Sequence, residues 1–118
     1  MQRIALLAAV AAALVFVVAV QASAPPVGTL PKGPVTTIST AKGSLVSIAL
    51  PSRAGKSWRL ARAVNPRVLV EVAEANVGSN VVVIYRATGR GSAKVAYGLT
   101  RGETAKALAS ATFNVRVS

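Results

Sequence analysis

Residues 45–60 read LVSIALPSRAGKSWRL, and this stretch indicates the fold class. Its first six residues alternate, with Val46, Ile48 and Leu50 on one face and small residues on the other. Such alternation is the pattern of a β-strand with one buried face. The Pro, Ser and Gly residues that follow favour a turn, and Trp58 opens a second apolar run. The stretch therefore predicts a strand, a turn and a second strand.

The same organisation recurs along the chain. Short β-rich runs are separated by Gly, Pro, Asn or Ser at intervals of roughly 8–12 residues. We predict seven strands, at residues 35–39, 45–50, 58–64, 67–73, 81–87, 94–100 and 112–117. Helical propensity is confined to residues 103–110, a segment too short to be a stable helix alone. Seven short strands indicate an all-β fold, either an immunoglobulin-like β-sandwich or a small Greek-key barrel.

The alternation also predicts the core. Trp58 is the only Trp in the chain, and it could be an exposed binding anchor or a core side chain. We favour the core, because Trp58 lies two residues from Leu60 on a predicted inner strand. Residues 68, 70 and 72 are expected to share one face. The side chains expected to be buried are Val46, Ile48, Leu50, Trp58, Leu60, Val70, Val95, Tyr97, Phe113 and Val115.

The composition excludes most catalytic chemistry. The 118 residues include no Cys and no His, and the only acidic side chains are Glu71, Glu74 and Glu103. Nucleophilic catalysis and transition-metal sites normally need His, Cys or clustered carboxylates. Glu71 and Glu74 are three apart in a predicted strand, so we expect them on opposite faces and not as a catalytic pair. The sequence predicts a protein that acts by binding, without enzymatic activity, a cofactor or a metal.

The N-terminus has the pattern of a secretory signal peptide. Residues 4–20 are an unbroken apolar run, preceded by an Arg and followed by small residues. Cleavage after Ala24 would place Pro25 next to the scissile bond, so we expect a signal peptide of residues 1–22, cleaved after Ala22. The alternative is an uncleaved anchor, because 17 apolar residues lie at the lower limit of the spanning range of roughly 17–25. Cleavage predicts a periplasmic or secreted product whose membrane contact is transient.

Two further segments follow the signal peptide. Residues 23–34 are rich in Pro and Gly and predict a flexible lead-in outside the packed core, ahead of a domain at residues 35–118. The whole chain has a net charge of +11, and Arg3 is the one charged residue of the signal peptide, which leaves +10. This charge favours an acidic partner, such as a polymer of the cell envelope. Export makes nucleic acid an unexpected partner.

Residues 50–58, LPSRAGKSW, resemble chagasin, a family of inhibitors of papain-like cysteine peptidases. Members have a strand ending in Leu-Pro-Ser, a loop usually reading Asn-Pro-Thr-Thr-Gly, and an aromatic residue with Trp at the start of the next strand. Here Gly55 and Trp58 match, whereas the loop is two residues shorter and Lys56 replaces the aromatic residue. Weaker similarity extends over residues 43–50, 85–89, 95–101 and 113–117, so the resemblance spans residues 35–118.

The resemblance implies an immunoglobulin-like framework in which three loops at one end form a wedge for the peptidase cleft. The third loop retains Arg101, but Gly102 and Glu103 stand where the family has Pro and Trp, so micromolar affinity or weaker is expected. The alternative is a drifted, non-inhibitory module of the cell envelope that binds an acidic partner. The loop residues implied are Arg53, Ala54, Gly55, Lys56, Asn76, Val77, Gly78, Ser79, Asn80, Thr100, Arg101, Gly102 and Glu103.

Overall fold

The computed structural model of the protein describes residues 25–118. The predicted signal peptide lies outside the described residues, so its cleavage stays a prediction. Residues 25–118 contain no helix, and hence no helix long and apolar enough to cross a bilayer.

Seven strands form two sheets. One sheet has four strands in the order β1-β7-β6-β3, and the other has three in the order β2-β5-β4. β1 runs parallel to β7, whereas the other paired strands are antiparallel. The predicted seven-stranded all-β fold is confirmed. The strands are β1 (Val35–Thr40), β2 (Leu45–Pro51), β3 (Ser57–Leu60), β4 (Leu69–Val77), β5 (Asn80–Ala87), β6 (Gly91–Thr100) and β7 (Ala109–Val117).

The core lies between the inner faces of the two sheets. Six of the side chains predicted to be core are buried: Val46, Ile48, Leu50, Val95, Tyr97 and Val115. Trp58 and Phe113 are partly buried and pack against this cluster. Leu60 was predicted wrongly, because it is 39% exposed. It is the last residue of β3, which has only four residues and forms the edge of its sheet, so little structure extends beyond Leu60 to cover it.

The prediction that Val70 and Val72 lie on the inward face of β4 is also wrong. Val70 and Val72 are 39% and 46% exposed, whereas Leu69 is buried. Leu69 pairs with the buried Ala87, so Leu69 faces the core and its neighbour Val70 faces outward. The pattern of apolar residues misled the prediction because β4 is an edge strand with an apolar outer face.

A β-bulge in β4 changes the relation between its two Glu residues. The register shifts between Glu71 and Ala73, so that Glu71 pairs with Tyr85 and Glu74 pairs with Val83. Tyr85 and Val83 both face the core, and paired residues project from the same face of a sheet. Glu71 and Glu74 therefore share the inner side of β4. The expectation of opposite faces was wrong because an extra residue breaks the period of two.

The segment at residues 25–34 does not behave as the flexible lead-in that its Pro and Gly content predicts. It has no regular secondary structure, yet its contacts with Gly98, Ser110 and Thr112 place it along the outer face of the four-stranded sheet. Thr112 donates its backbone N–H to the carbonyl of Pro34 at 3.0 Å, and Val27 lies against Gly98 of β6. The amino-acid composition of the segment does not predict this docking, because its partners on β6 and β7 are distant in sequence.

Two buried tyrosines connect the sheets across the core. Tyr85 on β5 and Tyr97 on β6 are 1% and 3% exposed, and their hydroxyl oxygens are 2.7 Å apart. Burial raises the pKa of both phenols above the ordinary value, so both are neutral at physiological pH. Each hydroxyl thus satisfies the other in a region from which water is excluded, and the bond joins one sheet to the other.

Replacement of Tyr85 or Tyr97 with Phe, one at a time, should lower the free energy of unfolding by about 1–3 kcal/mol, because the remaining hydroxyl is buried without a partner. The double replacement removes both polar groups, so it should cost clearly less than the sum of the two single replacements. Urea unfolding of the four proteins measures this coupling. Additive losses would show that the two hydroxyls do not depend on each other.

Candidate functional site

Three connections lie at the same end of the sandwich. They are the first loop (residues 52–56, between β2 and β3), the second loop (residues 78–79, between β4 and β5) and the third loop (residues 101–108, between β6 and β7). Pro51 pairs with Asn80 in one sheet, and Ser57 pairs with Thr100 in the other. These pairings place the first loop beside both others. We call this end the loop end, and the opposite end, with the turns at residues 41–44 and 88–90, the distal end.

The first loop is a tight turn that is tied to the second loop. Lys56 donates its backbone N–H to the carbonyl of Arg53 at 3.1 Å, and Gly55 has a φ of +70°. A Gly with positive φ at the third position of such a turn is typical of type II. Ser52 donates its backbone N–H to the carbonyl of Ser79 at 2.9 Å. The predicted residues of the first loop therefore form one exposed tip in contact with the second loop.

Trp58 combines the two interpretations that the sequence left open. One part of the side chain packs against the core, and the ring N–H donates to the Pro51 carbonyl at 2.8 Å. Trp58 also lines a cleft of about 350 Å³ between the first loop and β4. Trp58 is thus a core residue whose remaining exposed part faces the loop end.

The cleft beside Trp58 has charged walls of opposite sign. Arg53 and Lys56 line it from the first loop, and Glu74 and Asn76 line it from β4. Glu74 is absent from the predicted site residues, because the bulge that turns Glu74 toward the inner side of β4 has no signal in the sequence. The cleft can accept polar groups that hydrogen-bond to either charge.

The second loop is shorter than predicted. Val77 and Asn80 pair with each other as the last and first residues of their strands, which leaves a two-residue hairpin turn of Gly78 and Ser79. Gly78 has a φ of +59°, and Ser79 does not have a positive φ, the combination expected for type II′. Of the five residues proposed for this loop, Asn76, Val77 and Asn80 belong to strands.

The third loop is longer than predicted and begins one residue later. Thr100 is fully buried at the end of β6, where its Oγ1 donates to the carbonyl of Gly102 at 2.6 Å. The prediction of Thr100 as a contact residue is wrong, because its burial leaves no side-chain surface for a partner. Arg101, Gly102 and Glu103 are exposed. The loop closes where Leu108 donates its backbone N–H to Leu99 at 2.7 Å.

The charged side chains and exposed backbone of the loop end suit the binding of a partner more than they suit catalysis. Arg53 and Arg101 are exposed on two different loops, and Glu103 is the acidic residue of the third loop. Within residues 25–118, no three side chains of the types His, Cys, Asp or Glu cluster as a metal site would require. What the loop end presents is exposed backbone at two glycines, flanked by guanidinium groups.

Comparisons with known proteins find similarity in fold but no match in sequence. No family profile and no curated protein match the chain. Among solved structures, it is similar to the cysteine protease inhibitor EhICP2 from Entamoeba histolytica, with a TM-score of 0.56, 14% identity, and coverage of 75% of this chain and 99% of that one.

Two further solved structures are also similar to the chain. PbICP-C in complex with falcipain-2 gives a TM-score of 0.59 at 14% identity and covers 80% of this chain and 95% of its own. The solution structure of amebosin gives a TM-score of 0.50 at 21% identity, with coverage of 75% of this chain and 100% of that one. Similarity at these identities establishes a common fold. The seven-stranded framework of this chain is therefore chagasin-like, the fold of cysteine protease inhibitors.

Proposed function

We propose that the chain is an exported inhibitor of papain-like cysteine peptidases, which blocks the active-site cleft non-covalently with the three loops of the loop end. The observation that carries the proposal is the convergence of these loops at one end of a fold shared with cysteine protease inhibitors. One of those inhibitors, PbICP-C, was solved in complex with falcipain-2, which supports a cysteine peptidase as the partner.

The shape of the loop end suits a narrow cleft. Gly55 and Gly102 have positive φ values, and a Cβ atom at either position would meet nothing within 4 Å. Both glycines thus present bare main chain at the surface, which can approach a partner closely. The bond between Ser52 and Ser79 holds the first two loops together before binding, so less conformational entropy is lost on association.

The charge of the loop end favours a peptidase with an acidic rim. Arg53, Lys56 and Arg101 lie on two of the three loops. Electrostatic attraction of this kind mainly accelerates association and weakens as salt screens it. The proposed inhibition should therefore be stronger at low ionic strength.

The proposed affinity is modest, because the exposed loop tips lack an aromatic anchor. Residues 52–56, 78–79 and 101–108 contain no Trp, Tyr or Phe. A buried aromatic anchor typically contributes about 2 kcal/mol or more, which corresponds to roughly thirtyfold in affinity. We accordingly expect micromolar inhibition or weaker.

Replacement of Gly55 with Trp together with Arg101 with Glu should abolish inhibition of papain, measured by titration of peptidase activity. The bulky side chain blocks close approach of the first loop, and the carboxylate reverses the charge of the third. The matched control is Gly43→Trp with Arg90→Glu at the distal end. Gly43 also has positive φ and open space, so the control introduces the same chemical changes and comparable backbone strain.

The control should inhibit papain as well as the unaltered protein does. If the unaltered protein does not inhibit papain-like enzymes at high micromolar concentration, or if both double variants inhibit equally, the inhibitor proposal is wrong. That outcome would favour the second candidate, a non-inhibitory binding module for an acidic component of the cell envelope. The observation behind this candidate is a group of exposed basic side chains toward the distal end, Lys42, Arg67, Arg90 and Arg116.

Export is the second element of the proposal, and it is supported by the apolar run at residues 4–20. N-terminal sequencing of the secreted protein should begin at Ser23, because cleavage after Ala22 avoids Pro25 next to the scissile bond. Recovery of the intact N-terminus in the membrane fraction would contradict cleavage and support an anchor.

A further inference from the structure

The outer face of β6 is covered, although it lies on the side of the sheet that faces away from the core. Ala96 is 3% exposed and Thr100 is fully buried, and both project from the face opposite to Val95 and Tyr97. An uncovered sheet face would leave these side chains in water. Residues 25–34 and the third loop form the cover.

Gly98 marks the point where the segment at residues 25–34 and the third loop meet. Its φ is not positive, so the backbone conformation does not require Gly. A Cβ atom there would lie 2.7 Å from Cγ1 of Val27, 3.0 Å from Cδ2 of Leu30 and 3.3 Å from Cβ of Ala107. The missing side chain is what makes room for two apolar groups of the N-terminal segment and one of the third loop.

Hydrogen bonds fix the N-terminal segment along its length. Gly28 donates its backbone N–H to the carbonyl of Ala105, in the middle of the third loop, at 2.7 Å. The hydroxyl of Ser110 donates to the carbonyl of Pro31 at 2.6 Å. Four of the six prolines of the chain lie within residues 25–34, and restricted φ angles reduce the entropy lost when the segment docks.

The guanidinium group of Arg59 binds both the N-terminal segment and the third loop. One nitrogen donates to the carbonyl of Thr104 at 2.6 Å, and another donates to the carbonyl of Pro25. Arg59 lies on β3 beside Gly98 and is partly buried. A planar guanidinium with fixed donors can bridge two carbonyls, whereas the single ammonium group of Lys is a poorer match.

The third loop has little else to define its conformation. It contains no Pro and no aromatic side chain, and its own bonds lie at its ends, where Thr100 contacts Gly102 and Leu108 contacts Leu99. Its centre, at Thr104 and Ala105, is bound by Arg59 and Gly28. We propose that residues 25–34 are a strap, locked by Arg59, that sets the conformation of the third loop for peptidase binding. Arg59 and the strap are positioning elements, and this role rests on the proposed inhibitory function.

Hydrogen exchange of backbone amides tests the strap directly, with the Gly28 amide as its reporter. Arg59→Ala should accelerate exchange at Gly28 and within the third loop by about tenfold or more, because two charge-assisted bonds are lost. Arg59→Lys should restore part of the protection. Gly98→Val should have the effect of Arg59→Ala without any change of charge, because the added side chain displaces Val27 and Leu30. Arg86→Ala removes an exposed Arg from the other sheet and should leave both regions unchanged.

Titration against papain then tests the positioning role. Arg59→Ala and Gly98→Val should each weaken inhibition about tenfold, whereas Arg86→Ala should not. Unchanged exchange at Gly28 and the third loop in both strap variants would overturn the strap. Accelerated exchange with full inhibition would overturn its positioning role. If the unaltered protein does not inhibit, the proposed function and the positioning role fail, while exchange still decides whether the strap holds the loop.

Discussion

The position of the two sheets relative to each other is the constraint on which the rest of the structure depends. No strand of one sheet pairs with a strand of the other among residues 25–118, so the sheets are held together by side chains and by the connecting loops. Apolar packing does this without direction, because it responds mainly to buried area. The bond between Tyr85 and Tyr97 adds a directional contact at the centre, and the bond from Trp58 to Pro51 adds a second at the loop end.

The fixed arrangement of the three loops at the loop end depends on these contacts. Of the three loops at the loop end, the first is the one through which the chain crosses from one sheet to the other, so a shift between the sheets would distort it. The second loop belongs to the three-stranded sheet and the third loop to the four-stranded sheet. The bond between Ser52 and Ser79 connects the first two loops, and Arg59 anchors the third through the strap. A surface of three loops can thus act as one body, although the loops themselves have few internal bonds.

The sequence predicted the parts of the fold where one strand face is apolar and the other is not. β2 and β6 follow this rule on the core side, and their inner residues were predicted correctly. β4 does not follow this rule for two reasons. The bulge at Val72 interrupts the period of two, and the outer face of β4 is apolar whereas its inner side holds the polar residues. Turn residues located the loops, but no local pattern predicts that Thr100 is buried where it donates to Gly102 of the third loop. No local pattern reveals that a Pro-rich segment docks on Gly98, since complementarity between distant segments is a property of the folded chain.

Binding of a peptidase by the loop end can be tested by hydrogen exchange of the protein, alone and with papain whose active-site thiol is blocked. Blocking the thiol leaves the non-covalent surface of the cleft in place and prevents digestion of the protein. We expect slower exchange at residues 52–56, 78–79 and 101–104 in the complex, with no change in the distal turns at residues 41–44 and 88–90. Protection confined to the distal end or to the outer face of β4, with the three loops unaffected, would contradict it.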